Sequence, residues 1–524
     1  MKAMLQQLAA ILVCCGSVMF SQNGSASAAE PPGDAGPDLT PYQRPLLPEE
    51  IDHTQSVRFS LPGAVIEDLV VAAGLGATDM VGGTETSIAV DPGNPASIVI
   101  TAFSGSWGAE APLWTSSDAG ATWAKSFSIP SPSPGSEAAG CPCDQTVDFG
   151  NGALSLFGAF LGANTGQRSI WTGASSDPSS SAAWEWPVAG GATERTNRSV
   201  FSDQPWLIAA HHGADFLYVA YTDYGAAVPA NHVAVAQQST PPSFGAGYDA
   251  VVSTSAGTGE IASAAIRIAA DPSTDDVYAA WQDDVSLDQR TCARNISFRL
   301  SRTRDHGKTW SLNGRATGLL VARHQSDEGR PDDPNQAPTP CRDHVEKFGT
   351  VNALLGGSIA LAVDPSRGDV YFAYHNRDSR TGNNRLQVTR LSPDRTTGMR
   401  IVSSRLVSGN TQAALPALAV ADNGTVGLLY DTFDGFVSGY PQFTVHMAQS
   451  IDHGGSWTDS AILTFLSPTR DNAWQRQRVL GDYQQLKAVG NTFYGAFPAN
   501  GAVAGRTLSN IDPFFLRIPA AARQ

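Results

Sequence analysis

Apolar positions recur along the chain in a hairpin pattern. Each copy has an apolar strand, an Asp-Pro turn with Gly or Ser, and a second apolar strand that carries aromatic residues. Three clear copies occupy residues 87–103, 268–281 and 361–374. Turns of this composition between apolar runs predict β-hairpins.

Weaker copies of the hairpin bring the number of repeats to seven. They occupy residues 146–160, 207–221, 418–430 and 486–497. Successive turns lie about 60 residues apart, except for a wider interval that indicates an insertion near residues 315–350. Self-similarity at such a period predicts a repeat fold.

An eight-residue turn follows the hairpin in three of the repeats. It reads Ser or Thr, any residue, Asp, any residue, Gly, any residue, Thr or Ser, and Trp, as in an Asp box. The copies occupy residues 116–123, 303–310 and 450–457, with degenerate forms at 175–177 and 392–394. The Asp can accept backbone N–H groups across the turn, the Gly permits a positive φ, and the Trp can pack over the hairpin.

These two elements together predict an all-β fold that is a single β-propeller. With four strands per repeat, the hairpin supplies the first two strands and the Asp box joins the third to the fourth. Seven repeats predict seven blades. Six blades are the alternative, because the repeat at 207–221 or at 486–497 could be an embellishment, and a β-sandwich or a β-helix are the other folds considered.

The first residues read as a secretory signal at 1–28. Lys2 supplies the positive end, residues 8–20 the apolar segment and residues 26–28 the small-residue cleavage site. A Pro- and Gly-rich leader follows at 29–55, and the propeller is expected at 56–519. Since no other stretch reaches the roughly 18 apolar residues of a membrane helix, we expect a protein that is secreted or periplasmic, with lipidation of Cys15 as the alternative to simple cleavage.

The four cysteines expected in the mature protein predict two disulfides, because an even number in an oxidising compartment favours pairing over metal binding. They are Cys141, Cys143, Cys292 and Cys341, and their pairing stays open. A net charge of −15 with only 34 Lys and Arg residues argues against nucleic acid as a partner. We therefore expect a monomer that acts on a glycan or another small-molecule substrate.

Alternating strand direction assigns the candidate site to one face of the propeller. If the hairpin turns and the Asp boxes lie on one face, the other loops converge around the central channel on the opposite face, where ligands usually bind. Candidate catalytic residues on these loops are Asp203, Asp283, His375, Arg377 and Tyr483. Candidate substrate-binding residues are Asp144, Asp223, Trp281, Asp431 and Asp482.

Structural roles remain open for several of these residues. Asp144, Asp203 and Asp482 precede inner strands, where a carboxylate could cap loop backbone instead of binding a ligand. His375 and Arg377 could be tuned as an acid or base beside carboxylates, or could belong to a solvated loop. Trp281 ends an apolar strand and could serve packing alone.

Together, the hairpins and Asp boxes resemble the sialidase, or BNR-repeat, superfamily over residues 80–515. The resemblance implies removal of terminal sialic acid by a site with three arginines that clamp the carboxylate, a Tyr nucleophile assisted by Glu, and an Asp acid/base. Arginines available for such a clamp are Arg294, Arg377 and Arg476, and candidates for the Tyr are Tyr224, Tyr430 and Tyr483. The string at 515–519 resembles the family's first-arginine motif, but it lies at the opposite end of the domain, and only Glu260 is suitably placed among the glutamates.

Three functions follow as hypotheses. A glycoside hydrolase would use two mouth carboxylates, Asp203 and Asp283, one as acid and one as base or nucleophile partner. A polysaccharide lyase would use His375 or a Tyr to remove the proton beside a uronate carboxylate that Arg377 neutralises. A propeller without catalytic activity would bind or scaffold. No cofactor is expected; Asp-rich loops could hold Ca²⁺, but their spacing matches no known calcium loop.

Overall fold

The computed structural model describes most of the chain from residue 63 onward. The described residues are 63–74, 83–103, 107, 112–132, 141–150, 155–164, 167–197, 201–212, 214–225, 229–245, 248–252, 261–262, 265–287, 293–325, 347–354, 359–394, 398–409, 411–471, 477–504 and 511–522. The expected signal at 1–28 and leader at 29–55 lie outside them.

Four-stranded antiparallel sheets form the first half of the fold, after strand β1 (Val65–Asp68) and the short helix α1 (Leu69–Ala72). Blade I contains β2 (Ser87–Val90), β3 (Ile98–Thr101), β4 (Pro112–Ser116) and β5 (Ala124–Ser128). Blade II contains β6 (Cys141–Phe149), β7 (Leu156–Asn164), β8 (Gln167–Ser175) and β9 (Trp184–Glu185). A 3₁₀ turn (Ser181–Ala183) precedes β9, and a small hairpin of β10 (Val188–Ala189) and β11 (Ala192–Thr193) follows it. Blade III contains β12 (Ser202–His212), β13 (Ala214–Asp223), β14 (Ala230–Gln237) and β15 (Tyr248–Val251).

The second half of the described chain continues the same plan. Blade IV contains β16 (Ile261–Ala262), β17 (Arg267–Ala270), β18 (Val277–Leu287), β19 (Arg294–Thr303) and β20 (Leu319–Gln325). The pair β21 (Lys347–Phe348) and β22 (Asn352–Ala353) leads to blade V, which contains β23 (Ile359–Val363), β24 (Val370–Arg377), β25 (Asn384–Asp394) and β26 (Gly398–Leu406). Blade VI contains β27 (Ala413–Val420), β28 (Val426–Val437), β29 (Tyr440–Ser450) and β30 (Thr458–Leu466). Blade VII contains β31 (Gln485–Val489), β32 (Thr492–Asn500), β33 (Ile511–Pro519) and, as its outer strand, β1, with a 3₁₀ turn at Gly501–Ala504.

The seven innermost strands form a closed ring. Strands β2, β6, β12, β17, β23, β27 and β31 each contact the next one around the channel, and β31 contacts β2. Every predicted hairpin supplies the first two strands of one blade, so the prediction of seven blades is confirmed and the alternative of six is not. Residues 319–325, inside the predicted insertion, form the outer strand of blade IV, and residues 326–346 lie outside the described part of the chain.

Apolar clusters fill each of the seven interfaces between neighbouring blades. Inner and second strands are buried on both faces, which explains why they read as apolar runs and not as a strict alternation. At the interface of blades VII and I, for example, Trp123 packs edge-on against Phe515 with ring centroids 5.0 Å apart. The core is therefore distributed over the seven interfaces between blades.

The three eight-residue turns share one hydrogen-bond pattern and lie between the third and fourth strands of blades I, IV and VI. In the first, Asp118 accepts the backbone N–H of Thr122 at 2.8 Å and its hydroxyl at 2.6 Å. Ser116 Oγ donates to Asp118 at 2.8 Å and accepts the N–H of Gly120 at 2.9 Å. Asp305 and Asp452 repeat this pattern. Hydrogen bonds from the threonine or serine lower the pKa of Asp118 and Asp452 to about 2, so these carboxylates are structural.

No helix among the described residues is long and apolar enough to cross a membrane. Cys143 is buried in β6, while Cys141, Cys292 and Cys341 lie outside the residues whose side chains are described. The pairing of these cysteines stays a prediction.

Candidate functional site

The polar site lies where connections from the outer strands enter the inner strands. At four of these entrances a residue other than glycine adopts a positive φ: Glu85 at 54°, Gln204 at 49°, Ala265 at 91° and Leu415 at 54°. The strand register shifts at the same points in blades III and VI. Such conformations are strained and persist where surrounding contacts hold them, which occurs often at functional sites. The bulges redirect polar side chains toward the channel mouth.

Two carboxyl groups from neighbouring blades meet at this mouth. Asp144 on β6 and Asp203 on β12 are hydrogen bonded to each other. Arg168 on β8 approaches Asp203 Oδ2 with its guanidinium at 3.3 Å. The backbone N–H of Gln204 donates to Asp144 at 3.1 Å, so the strained bulge is used to hold the carboxylate.

The environment of this pair strongly favours a bound proton. Burial, followed by the nearby charge of Asp482, raises the pKa of Asp144 to about 6. Burial raises the pKa of Asp203 to about 8, against the opposing charge of Arg168 and with a further increase from Asp144. Asp203 is therefore a neutral acid at pH 7 that donates to Asp144, and its side chain is still 21% exposed. A carboxyl group of this kind is suited to proton donation.

A third carboxyl group, that of Asp482, lies on the other side of Gln204 from the Asp144–Asp203 pair. The side-chain amide of Gln204 donates to Asp482 Oδ2 at 2.9 Å, and Arg478 donates to the same oxygen at 2.7 Å. Arg478 also pairs with Glu85, which in turn accepts the backbone N–H of Asp482 at 3.2 Å. We call these side chains, together with Arg267 of blade IV, the acid and arginine network. Blades I to IV and VII contribute to it.

Arg267 is a buried cation beneath the network. Its guanidinium lies 4.2 Å from the ring centroid of Trp206 and 5.5 Å from that of Tyr483, and it reaches Gln204 at 3.5 Å. Burial lowers its pKa to about 10, so it stays charged at neutral pH. Cation–π contact with two rings offsets part of the desolvation of this charge.

Below Arg267 the channel narrows to a small cavity. It has a volume of about 30 Å³ and is lined by Trp206, Arg267, Gln484 and residues of the inner strands of blades V to VII. This space holds about one water molecule.

Tyr483 is predicted to be catalytic and lies within this network. Its hydroxyl accepts the N–H of Gln145 at 2.9 Å and donates to the carbonyl of Gln145 at 3.3 Å. Burial raises its pKa well above the ordinary value. The structure thus brings together Asp144, Asp203, Asp482 and Tyr483 from the predicted set.

Asp283 and Trp281 are bonded to each other within blade IV. The indole of Trp281 donates to Asp283 at 2.9 Å, and Arg299 lies 3.4 Å from the same oxygen. Trp281 is fully buried at the interface with blade III. The pairing of Asp203 with Asp283 as acid and base stays a prediction.

The remaining predicted residues lie in separate places around the mouth. Asp223 accepts the N–H of Gly225 at 2.7 Å, and burial raises the pKa of Asp431 well above its usual range. His375 is 4% exposed, whereas Arg377 lines an open cavity between blades IV and V.

Several residues of the network carry no signal that sequence reasoning could use: Arg168, Gln204, Arg267, Glu85 and Arg478. They lie in strands or at strand entrances, and their spacing does not distinguish them from other polar residues. Glu85, Gln204 and Arg267 are polar residues at or near the start of an otherwise apolar inner strand, whereas Arg168 lies on the third strand of blade II.

Asp203 and Asp482 at the mouth have arginine partners. Within the described residues, one group of three side chains could hold a metal ion: Asp364, Asp369 and His453. This group lies on the opposite face, at a hairpin turn and an Asp box. Asp369 Oδ2 lies 2.7 Å from the guanidinium of Arg390 and 3.1 Å from that of Arg367. These two arginines satisfy that carboxylate without a metal.

The fold and the site define a seven-bladed β-propeller with an acid and arginine network at one mouth. No protein-family model matches the chain, and no curated protein matches it. Solved structures do match, and three of them are 7% to 12% identical to this chain. The polysaccharide lyase Uly1 is 11% identical with a TM-score of 0.46, and the match covers 81% of this chain and 88% of that one.

Two further solved structures show similar coverage. An α-L-arabinanase from Penicillium chrysogenum is 12% identical with a TM-score of 0.37, over 83% of this chain and 93% of that one. The endosialidase of phage phi92 is 7% identical with a TM-score of 0.42, over 88% and 70%. A lyase, an arabinanase and an endosialidase together do not single out the sialidase superfamily. At these values the neighbours carry no argument about function.

Proposed function

We propose that the chain is an exported glycoside hydrolase in which Asp203 is the general acid. The observation that carries the proposal is the position of Asp203 at the channel mouth, where its partly exposed side chain lies beside Asp144 and 3.3 Å from Arg168 and burial raises its pKa to about 8. Glycoside hydrolysis needs an acid that still holds its proton near neutral pH and donates it to the leaving oxygen. Asp144 accepts the hydrogen bond of this acid and keeps it oriented.

Asp482 supplies the second carboxylate in this proposal. Two carboxyl groups that share a hydrogen bond are closer than the roughly 5 Å or more that separates the acid from the nucleophile or base. Asp144 and Asp203 therefore act as one acid, and Asp482 faces them across Gln204. Its carboxylate would stabilise positive charge on the sugar, and Arg478 holds it in place.

Elimination by a lyase has weaker support at this network. A lyase needs a base that can take a proton beside the uronate carboxylate. The hydroxyl of Tyr483 is bonded to the backbone of Gln145, and its raised pKa opposes loss of its proton. The tyrosine is more suited to holding β6 against blade VII than to abstracting a proton.

The first test is a substrate panel for the purified protein. Sialosides, neutral glycans and uronate polysaccharides are incubated with it, and new reducing ends are measured together with the absorbance of unsaturated uronates. We expect reducing ends without absorbance. Asp203→Asn keeps the shape but removes the acid, so we expect a rate at least about 100-fold lower.

Asp422→Asn is the matched control, because Asp422 is exposed in the turn between β27 and β28 on the opposite face. It should retain the full rate. Absorbance from unsaturated products would establish elimination and contradict the proposal. Silence on every substrate would also contradict it and leave a binding propeller.

A further inference from the structure

A second cavity opens at the mouth between blades IV and V. It has a volume of about 480 Å³, within the range of small-molecule sites. Its walls come from the ends of β18, β20 and β24 and the start of β19, all of which lie on the mouth face. The cavity is distinct from the acid and arginine network, since the two have no lining residue in common among the described residues.

Positively charged side chains lie in the described lining of this cavity. Arg323 and Arg377 line it, and no Asp or Glu belongs to the lining residues that the structure describes. The nearby Asp378 is paired with Arg385 at 2.7 Å, so a third arginine balances that carboxylate. On a chain with a net charge of −15, such a cavity is not the by-product of a generally basic surface.

The other walls of the cavity offer hydrogen bonds of the kind that sugar hydroxyls use. His324 lines it and stacks on Tyr374 with ring centroids 5.5 Å apart. Burial, followed by the charge of Arg385, lowers the pKa of His324, so its ring is neutral near pH 7. Asn295 and Ser286 also line the cavity and are bonded to each other at 2.7 Å, which orients both groups.

We infer that this cavity binds an acidic sugar residue of the substrate. Arg323 and Arg377 pair with its carboxylate or sulfate group, since guanidinium groups match such anions with two parallel hydrogen bonds. His324, Asn295 and Ser286 bind the hydroxyls. The inference rests on the proposed function for the glycan nature of the ligand, and it narrows the substrate to a polyanionic glycan that spans the acid network and this cavity.

The test measures binding in the absence of turnover. Calorimetric titrations use full-length protein carrying Asp203→Asn, with a galacturonate tetrasaccharide, a sulfated galactose tetrasaccharide and the neutral galactose tetrasaccharide. We expect at least one anionic probe to bind at least 10-fold more tightly than the neutral one. Arg323→Gln and Arg377→Gln should each weaken that binding about 10-fold, with no change for the neutral sugar.

Arg400→Gln is the control, because Arg400 is 64% exposed on the outer strand of blade V. It should bind the anionic probes as the parent does, and thermal unfolding verifies that all variants fold. Equal affinity for anionic and neutral probes, unchanged binding by both arginine variants, or no binding of either anionic probe would overturn the inference.

The two proposals fail in distinguishable ways. Arginine-dependent binding of an anionic probe without cleavage of any glycan by the unmutated protein would uphold the cavity and refute the hydrolase. Cleavage of neutral glycans alone, with binding independent of both arginines, would uphold the hydrolase and refute the cavity.

Discussion

The proton shared by Asp144 and Asp203 is the feature on which chemistry at the residue scale depends. Burial is the main cause that raises the pKa of both carboxyl groups, and it raises the pKa of Asp203 more than that of Asp144. Two like charges in one buried place cannot both ionise at neutral pH, so one proton stays between them. Arg168 opposes this by favouring the charged form of Asp203.

The pH dependence of the rate should follow that balance. Because the acid form of Asp203 is present below its pKa of about 8 and is lost above it, kcat/KM should fall as pH rises through about 8. Arg168→Gln removes a charge that lowers this pKa, so the basic limb should move to higher pH. Asp144→Asn removes a charge and a hydrogen bond that raise it, so the limb should move to lower pH.

Opposite shifts of the two variants, measured as pH–rate profiles on one substrate, are the diagnostic result. A purely structural disturbance would lower the rate of both variants without moving their limbs apart. Shifts in the same direction would contradict the role of Asp203 as the acid.

The sequence identifies the acids of the site but not their partners. Asp144, Asp203, Asp482 and Tyr483 can be found because they precede inner strands, a position that the repeat pattern defines. Their hydrogen bonds depend on strained bulges and on contacts between residues far apart in the chain, such as Gln204 with Asp482. Sequence spacing carries no information about such contacts.

At the element scale, the three eight-residue turns contact the blade that precedes their own, as Gly120, Gly307 and Gly454 show. In blade IV, Gly307 has a φ of +86°, and a Cβ there would lie 2.5 Å from Cγ2 of Val235 in blade III. The neighbouring His306 stacks on Phe216, which also belongs to blade III, with ring centroids 4.2 Å apart. The glycine therefore serves both the turn and the interface.

Gly307→Ala and Gly314→Ala separate these two roles. Gly314 has a φ of +71°, but a Cβ at this position would have no neighbouring atom within 4 Å. In both variants the positive φ should lower the free energy of unfolding by about 1 to 2 kcal/mol. In Gly307→Ala, overpacking against Val235 should lower the free energy of unfolding by a further 1 to 3 kcal/mol, roughly.

Urea unfolding of both variants measures the difference. Equal losses would show that Val235 moves aside and that the turn alone requires glycine. The sequence predicts these turns well because all of their hydrogen bonds lie within eight residues. It cannot predict that Gly307 contacts blade III, since that contact depends on the packing of the ring.

At the scale of the whole molecule, both ends of the described chain meet in blade VII. Strand β1 pairs with β33, with Val65 opposite Arg517 and Asp68 opposite Phe514. Helix α1 follows at once, and its residues Leu69 and Val70 are fully buried at the interface with blade I. The sequence does not predict this closure, because residues 65–68 lack the hairpin pattern and a lone strand of four residues gives little signal.

The closure predicts that a small segment near the start of the described chain stabilises the whole ring. Val70 is 0% exposed, whereas the adjacent Val71 is 45% exposed. Val70→Ala should lower the free energy of unfolding by about 2 kcal/mol, because it removes two buried methyl groups and leaves a cavity. Val71→Ala makes the same chemical change on the surface and should lose less than about 0.5 kcal/mol. Urea titrations of the two variants test this, and equal losses would mean that α1 does not contribute to closing the ring.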